Sequence, residues 1–280
     1  MPRFTTPDGG TLHYRLRGAG PLIALTPGGR EPGEAVSALA DALAPDATVL
    51  TWDRRNTGAS DLTFHGESEQ AIWAGDLGAL IDHLGRGPAW LAGGSAGCRV
   101  SVATALCRPD TAAGLLLWSA SGGAYGCQFL GFSYHVPYLM AAARGGMAAV
   151  AETPFFAERI ACNPASRDRL LALDPDAFVA MLRRWNEAFY HRGDCTLAGV
   201  PDAALATIAL PTLIFEGDDD VHPPEVSRAM ARLIPHATLR ASPWPREAWI
   251  DRFSGRMAGS VFDLYPLLAP AIIGFIGAAR

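Results

Sequence analysis

Apolar positions follow two rhythms along this chain. Short runs rich in branched apolar residues, Leu22 to Thr26, Thr48 to Trp52, Ala89 to Ala92, Gly114 to Ser119, Thr212 to Glu216 and Thr238 to Arg240, alternate with longer segments of helical character. That alternation predicts an α/β protein, a mostly parallel sheet with helices on both faces. Two earlier runs, Arg3 to Thr6 and Thr11 to Leu16, flank Pro7-Asp8-Gly9-Gly10, whose turn residues predict an antiparallel hairpin. Between Gly122 and Leu205 the strand rhythm stops and helical segments replace it, at Pro137 to Ala151, Phe155 to Ala161 and Asp176 to Tyr190. So long a stretch is not a loop. The expected division is a core of residues 1–121 and 206–280 interrupted by a helical cap at 122–205. The aromatic residues of the insert, such as Phe129, Tyr134, Phe155 and Trp185, either build its own core or line a cleft beneath it. The apolar tail, Leu264 to Ala279, carries Pro266 and Pro270 and falls short of an unbroken membrane span, so it reads as a terminal helix packed on the core.

Composition narrows the chemistry. All 23 basic residues are arginine. The absence of lysine excludes a Schiff-base lysine, a P-loop lysine and a serine–lysine dyad. A net charge of −5 without a basic run speaks against a nucleic-acid partner. The five cysteines, Cys98, Cys107, Cys127, Cys162 and Cys195, contain no CxxC pair and read as reduced thiols of a cytoplasmic protein. Met1 to Gly10 lacks the basic start and apolar core of a secretory signal, so no export and no membrane association are expected.

The strongest chemical signal is Trp90 to Cys98, an apolar strand running into Gly93-Gly94-Ser95-Ala96-Gly97 and then a small-residue helix, Arg99 to Leu106. A Gly-x-Ser-x-Gly turn between strand and helix is the context of a nucleophile elbow. Small residues at both ends let Ser95 adopt a strained backbone and project its hydroxyl from the sheet edge. The helix that starts there aims its positive end at the site, which favours an oxyanion.

With these residues the chain resembles the α/β-hydrolase fold family over nearly its whole length. Leu25-Thr26-Pro27-Gly28-Gly29 stands after the third strand, where family members usually carry His-Gly and then a backbone donor to the oxyanion. The resemblance implies Gly29 and Ala96 as the two oxyanion-hole donors, with Pro27 replacing the usual histidine. Trp52-Asp53-Arg54-Arg55-Asn56-Thr57-Gly58-Ala59-Ser60-Asp61 is similar to the family's Asp-Arg-x-Gly-x-Gly-x-Ser loop, altered at Asn56, and reads as structural. The triad's acid is expected after Phe215-Glu216-Gly217, where Asp218, Asp219 and Asp220 follow one another. Anchoring on Val221-His222-Pro223 selects Asp219, which is preferred, whereas counting three residues from Gly217 selects Asp220. Like charges so close together require at least one to face solvent.

The triad also demands a histidine after the last strand, and here the sequence departs from the family. From Ala241 to Arg280 there is none. Arg246 is no substitute, because a guanidinium does not act as a base at neutral pH. The usual C-terminal histidine is therefore absent, and the triad reads as incomplete or served by a displaced base. His222, His135, His191 and His65 are the candidates for that base. His222 also reads as a packing residue of the family's Val-His-Pro segment. His236 is expected at the far sheet edge, and His13 and His83 read as surface or structural residues. Cys98 reads as a small buried residue with no activating neighbour.

No zinc-binding pattern and no dinucleotide fingerprint occurs, so neither a metal nor an organic cofactor is expected. The leading expectation is a serine-dependent hydrolase of a small, largely apolar ester, lactone or thioester. Two alternatives stay open. One keeps the oxyanion hole for carbon–carbon cleavage, decarboxylation or cyclisation, and the other is an inactive protein that binds a small ligand. The partner expected is a small-molecule substrate, and a homodimer is an open option.

Overall fold

The computed structural model describes residues 1–190 and 196–279. Eight strands form one sheet in the order β1-β2-β4-β3-β5-β6-β7-β8. They are β1 (Arg3–Thr5), β2 (Thr11–Arg17), β3 (Leu22–Thr26), β4 (Thr48–Asp53), β5 (Ala89–Gly94), β6 (Ala112–Trp118), β7 (Thr212–Phe215) and β8 (Ala237–Arg240). The predicted hairpin is present: β1 pairs antiparallel with β2, which pairs antiparallel with β4. From β4 to β8 every pairing is parallel.

Side chains alternate across the central strands with the period of two that a pleated sheet imposes. Ala24, Leu50, Leu91, Leu117 and Ile214 face one core, and Ile23, Val49, Trp90, Leu116 and Leu213 face the other. Both faces are buried, which is why these strands read as continuous apolar runs. The first core is covered by α2 (Glu69–Leu84) and α3 (Ala96–Cys107), with Trp73, Leu77, Val100 and Val102 packed inward. The second is covered by α1 (Ser37–Leu43) and the C-terminal segment. By length and composition alone, Val261–Ala278 would suffice to cross a membrane. Yet Leu264, Tyr265, Leu268, Ile272 and Ile276 are buried against the sheet. The segment is a 3-10 turn, Val261–Leu268, followed by a helix, Ala269–Ala278, rather than one uniform helix.

Between β6 and β7 the described residues form α4 (Gly123–Ala151), α5 (Pro154–Cys162), α6 (Ala165–Leu171), α7 (Pro175–Glu187) and the short α8 (Asp202–Leu205). Helix α4 starts well before the predicted Pro137. Glycines and aromatics fill that first stretch, and packing rather than propensity holds it helical: Cys127, Leu130 and Tyr134 join Phe189 and Ala198 in a buried cluster. Met147, Val150, Phe156, Phe178, Met181 and Trp185 form another. Leu62, from the loop before α2, is buried in this last cluster, so the packing of the insert runs on into that loop. Two more helices follow β7 and β8, α9 (Pro224–Leu233) and α10 (Arg246–Phe253).

Candidate active site

Strand β5 delivers Ser95 to the C-terminal edge of the sheet. Its backbone sits at φ 53°, ψ −114°, a left-handed region that non-glycine residues rarely occupy and that tends to mark functional turns. The flanking glycines are there for contact. A Cβ on Gly93 would lie 2.5 Å from the backbone of Gly97, and one on Gly97 would lie 2.2 Å from the carbonyl oxygen of Thr26. The strand–turn–helix therefore closes only with glycine at both positions. Ala96 opens α3, so its N–H has no partner within that helix.

The turn after β7 lies opposite. Ser95 Oγ is 2.8 Å from Nε2 of His222, and Nδ1 of His222 is 2.8 and 3.0 Å from the two carboxylate oxygens of Asp219. Asp219 Oδ1 also accepts from the backbone N–H groups of Val221 and His222, at 2.8 and 2.9 Å. Acid and imidazole thus come from one turn, three residues apart. Gly217 makes the turn possible, because a Cβ there would sit 1.9 Å from the carbonyl oxygen of His222.

This corrects two expectations. His222 is not merely the packing residue of its Val-His-Pro segment, and the serine does not lack a histidine partner. Of the three aspartates, Asp219 reaches the imidazole. Asp220 faces solvent, and Asp218 accepts from Ser242 Oγ and Trp244 Nε1. The remaining histidines stand elsewhere. His135 lines a second cavity with Arg99, His65 is exposed beside Asp8, and His236 is exposed at the start of β8. His13 lies on β2 and His83 beside Phe4, while His191 lies outside the described residues. Cys98 is fully buried, its thiol bonded to the carbonyl oxygens of Gly93 and Trp118, and burial pushes its pKa up to about 12.

Where the family would carry a histidine after the last strand, α10 contributes Trp249. Its indole Nε1 donates to Asp219 Oδ2 at 2.6 Å. Sequence reasoning missed this residue, and nothing in a lone tryptophan signals such a role. The signal that could have found His222 was the Asp-x-x-His spacing itself, since three residues within a turn bring two side chains together. Burial raises the Asp219 carboxyl, but the hydrogen bonds and charge of His222, followed by the Trp249 indole, outweigh it and hold the group below its ordinary value. The imidazole is further fixed by aromatic edges, with Trp249 and Phe253 at 6.0 and 5.7 Å between ring centroids.

The loop after β3 completes the site. Gly28 and Gly29 line the cavity of about 210 Å³ that Ser95 and His222 also line, along with Phe129, Leu130 and Phe253. Arg54 holds this loop from behind, donating through Nη2 to the carbonyls of Gly29 and, more weakly, Glu31 and Gly28. Asp53 braces its own turn through the amides of Gly33 and Ala59. The Asp53–Asp61 loop thus works as scaffolding. Among the described residues, no group of three or more histidine, cysteine, aspartate or glutamate side chains is arranged to hold a metal ion.

Comparison with known proteins agrees with this fold. Residues 23–257 match the sequence model of a family described as the alpha/beta hydrolase family. The chain is 26% identical over 249 residues to "Putative carbamate hydrolase RutD" of Azorhizobium caulinodans, covering 85% of this chain and 88% of that protein. It is 30% identical over 103 residues to "Uncharacterized hydrolase YraK" of Bacillus subtilis, a match spanning 36% of this chain and only 38% of the relative's own length. Among solved structures, a thermophilic esterase from Thermogutta terrifontis superposes with a TM-score of 0.65 at 22% identity, over 99% of this chain and 98% of the other. At that identity the likeness shows the fold.

Proposed function

Given that the chain belongs to the alpha/beta hydrolase family, we propose that it is a serine hydrolase acting on a small ester, lactone or thioester whose acyl part is largely apolar. The observation that carries this reading is the 2.8 Å contact between Ser95 Oγ and His222 Nε2, with Asp219 on the other imidazole nitrogen. In the first half-reaction Ser95 Oγ attacks the substrate carbonyl while His222 Nε2 takes its proton. The N–H groups of Gly29 and Ala96 stabilise the negative charge that develops on the carbonyl oxygen. His222 then gives its proton to the departing oxygen or sulfur, leaving Ser95 acylated. Water, deprotonated by the same imidazole, releases the acid and regenerates the hydroxyl. Asp219 keeps Nδ1 protonated and stabilises the imidazolium without itself taking the proton.

The apolar acyl preference rests on Phe129, Leu130, Val221, Phe253 and Phe262 around the serine. In this reading residues 122–205 act as a cap, with α4 supplying Phe129 and Leu130. The relatives named for esterase and carbamate hydrolase activity point the same way. Turnover of p-nitrophenyl acetate by the wild type and Ser95→Ala tests the reading. Replacing Ser95 should lower kcat by about 10⁴-fold or more, whereas wild-type turnover by the variant would remove Ser95 from the mechanism.

A further inference from the structure

A second cavity, of about 350 Å³, lies beside the first, and Tyr134 of α4 lines both. Its wall holds Arg99, one helical turn after Ser95 on α3 and 1% exposed. Nη1 of this guanidinium donates to the side-chain oxygen of Gln70 at 3.2 Å. Among the described residues, its Nε and Nη2 have no hydrogen-bond acceptor. These two groups form the side-on fork of the guanidinium, the pair of parallel donors that a carboxylate matches with both oxygens. The hydroxyl of Tyr134 is likewise buried without a partner among the described residues.

The surrounding charges do not compensate Arg99. Glu69 is the buried acid of the neighbourhood, and it is already used: Oε2 accepts from Nε and Nη2 of Arg30, and Oε1 from Asn56. Arg54, also buried, adds a further cation, with Nε and Nη1 unpartnered among the described residues. At the rim Glu67 and Arg184, both exposed, oppose each other in sign. His135 is kept neutral by burial and by Arg30. The crowding is visible in the cations themselves, since burial pushes Arg54 down to about 10, with Arg99 and Arg30 adding to the effect. The faces of Phe189 and Tyr134, 4.8 and 5.6 Å from the Arg99 carbon, offer only weak compensation. Buried charges in folded proteins are generally paired, and an unpaired one is costly.

We propose that the Arg99 cavity is a carboxylate-binding subsite of the same active site, so that the preferred substrate carries its reacting carbonyl at Ser95 and a free carboxylate at its far end. The three groups are covered in the unliganded structure, and the carboxylate takes Nε–H and Nη2–H of Arg99, with the Tyr134 hydroxyl as a third donor, as the side chains lining the cavity turn to admit it. The apolar middle of the acyl chain passes Tyr134, where the two cavities share a wall. This rests on the serine hydrolase reading for its substrate, but not for its anion.

The test compares mono-p-nitrophenyl glutarate with its distal methyl ester, a neutral substrate of nearly the same shape, in the wild type, Arg99→Met and Arg99→Lys. The wild type is expected to favour the acid. Arg99→Met should lower the acid-to-ester ratio of kcat/KM by about 10- to 100-fold, the loss typical of a charged hydrogen-bonded contact, mostly through KM. Arg99→Lys should restore part of the ratio, which a merely unfolded variant does not do. No preference in the wild type, or a ratio unmoved by folded Arg99→Met, would overturn the proposal.

Should neither ester be hydrolysed, the hydrolase reading fails, and the anion site is judged by calorimetric titration with glutarate. Heat of binding lost in Arg99→Met supports a carboxylate site, and no binding to the wild type refutes it. Glutarate that binds through Arg99 without competing against the neutral ester would mean that the carboxylate belongs to a separate molecule, which overturns the substrate assignment.

Discussion

The turn after β7 and the segment after β8 divide the work at Ser95 in an uneven way. The first carries both Asp219 and His222 within four residues, closed by Gly217. The second, where a separate histidine is expected from the family, brings Trp249, which donates to the same Asp219. The imidazole between Ser95 and the carboxylate comes from the turn after β7, and the donor on the carboxylate's other side comes from α10. A side chain's position in space, not its place in the chain, decides whether it reaches Ser95.

Removing the histidine is expected to have the largest effect. His222→Ala is expected to lower kcat/KM for a simple ester by about 10⁴-fold or more, with KM little changed. Rapid-mixing assays on p-nitrophenyl acetate read it. A small effect would mean that the base comes from another element.

Trp249→Phe is the sharper and gentler probe. It leaves an aromatic ring in place and removes one hydrogen bond to a charge, so about a 10-fold loss in kcat is expected. The pH profile distinguishes positioning from packing. Asp219 titrates in the fold below its ordinary value of 3.8. Its ionised form therefore contributes fully above that ordinary value, and the contribution is lost as pH falls through the lower folded value. Losing the indole donor raises the folded value, so the acid limb of stability should move to higher pH in the variant. An unshifted limb would reduce Trp249 to packing.

His135, on the helical side of the site, gives the smallest effect and concerns stability. Burial, with Arg30 beside it, lowers its pKa from 6.5 to about 3. The folded state refuses a proton that the unfolded chain accepts, so stability falls as pH drops below 6.5, by up to about 1.4 kcal/mol per pH unit. Urea unfolding of the wild type and His135→Gln at neutral and mildly acidic pH should show a shallower pH dependence in the variant. Equal slopes would contradict a neutral buried imidazole.

Much of this arrangement was legible in the sequence, because it rests on local patterns. The strands Leu22–Thr26 and Thr48–Asp53 are buried on both faces and so write themselves as apolar runs. Ser95 announces itself because only glycine at positions 93 and 97 permits the turn. Asp219 is preferred over Asp220 through the family's spacing to Val221-His222-Pro223, while counting from Gly217 leaves Asp220 open; the hydrogen bonds to His222 separate the two. What was hidden depends on contacts between distant segments. His222 reaches Ser95 across 127 positions, and a Val-His-Pro segment looks the same whether its imidazole packs or reacts. Trp249 and Arg99 are ordinary residues for a helix; burial sets both apart, the first with its indole on Asp219 and the second with donors left unmatched among the described residues. The first half of α4 was missed for a related reason, since its helix is held by packing onto Phe189 and Ala198.

In the proposed reaction His222, from the turn after β7, activates Ser95. Intact-mass analysis after exposure to a fluorophosphonate, which labels only serines of enhanced nucleophilicity, tests it directly on the wild type, Ser95→Ala and His222→Ala. One adduct is expected on the wild type and none on either variant at the same exposure. Labelling of folded His222→Ala at the wild-type rate would contradict it.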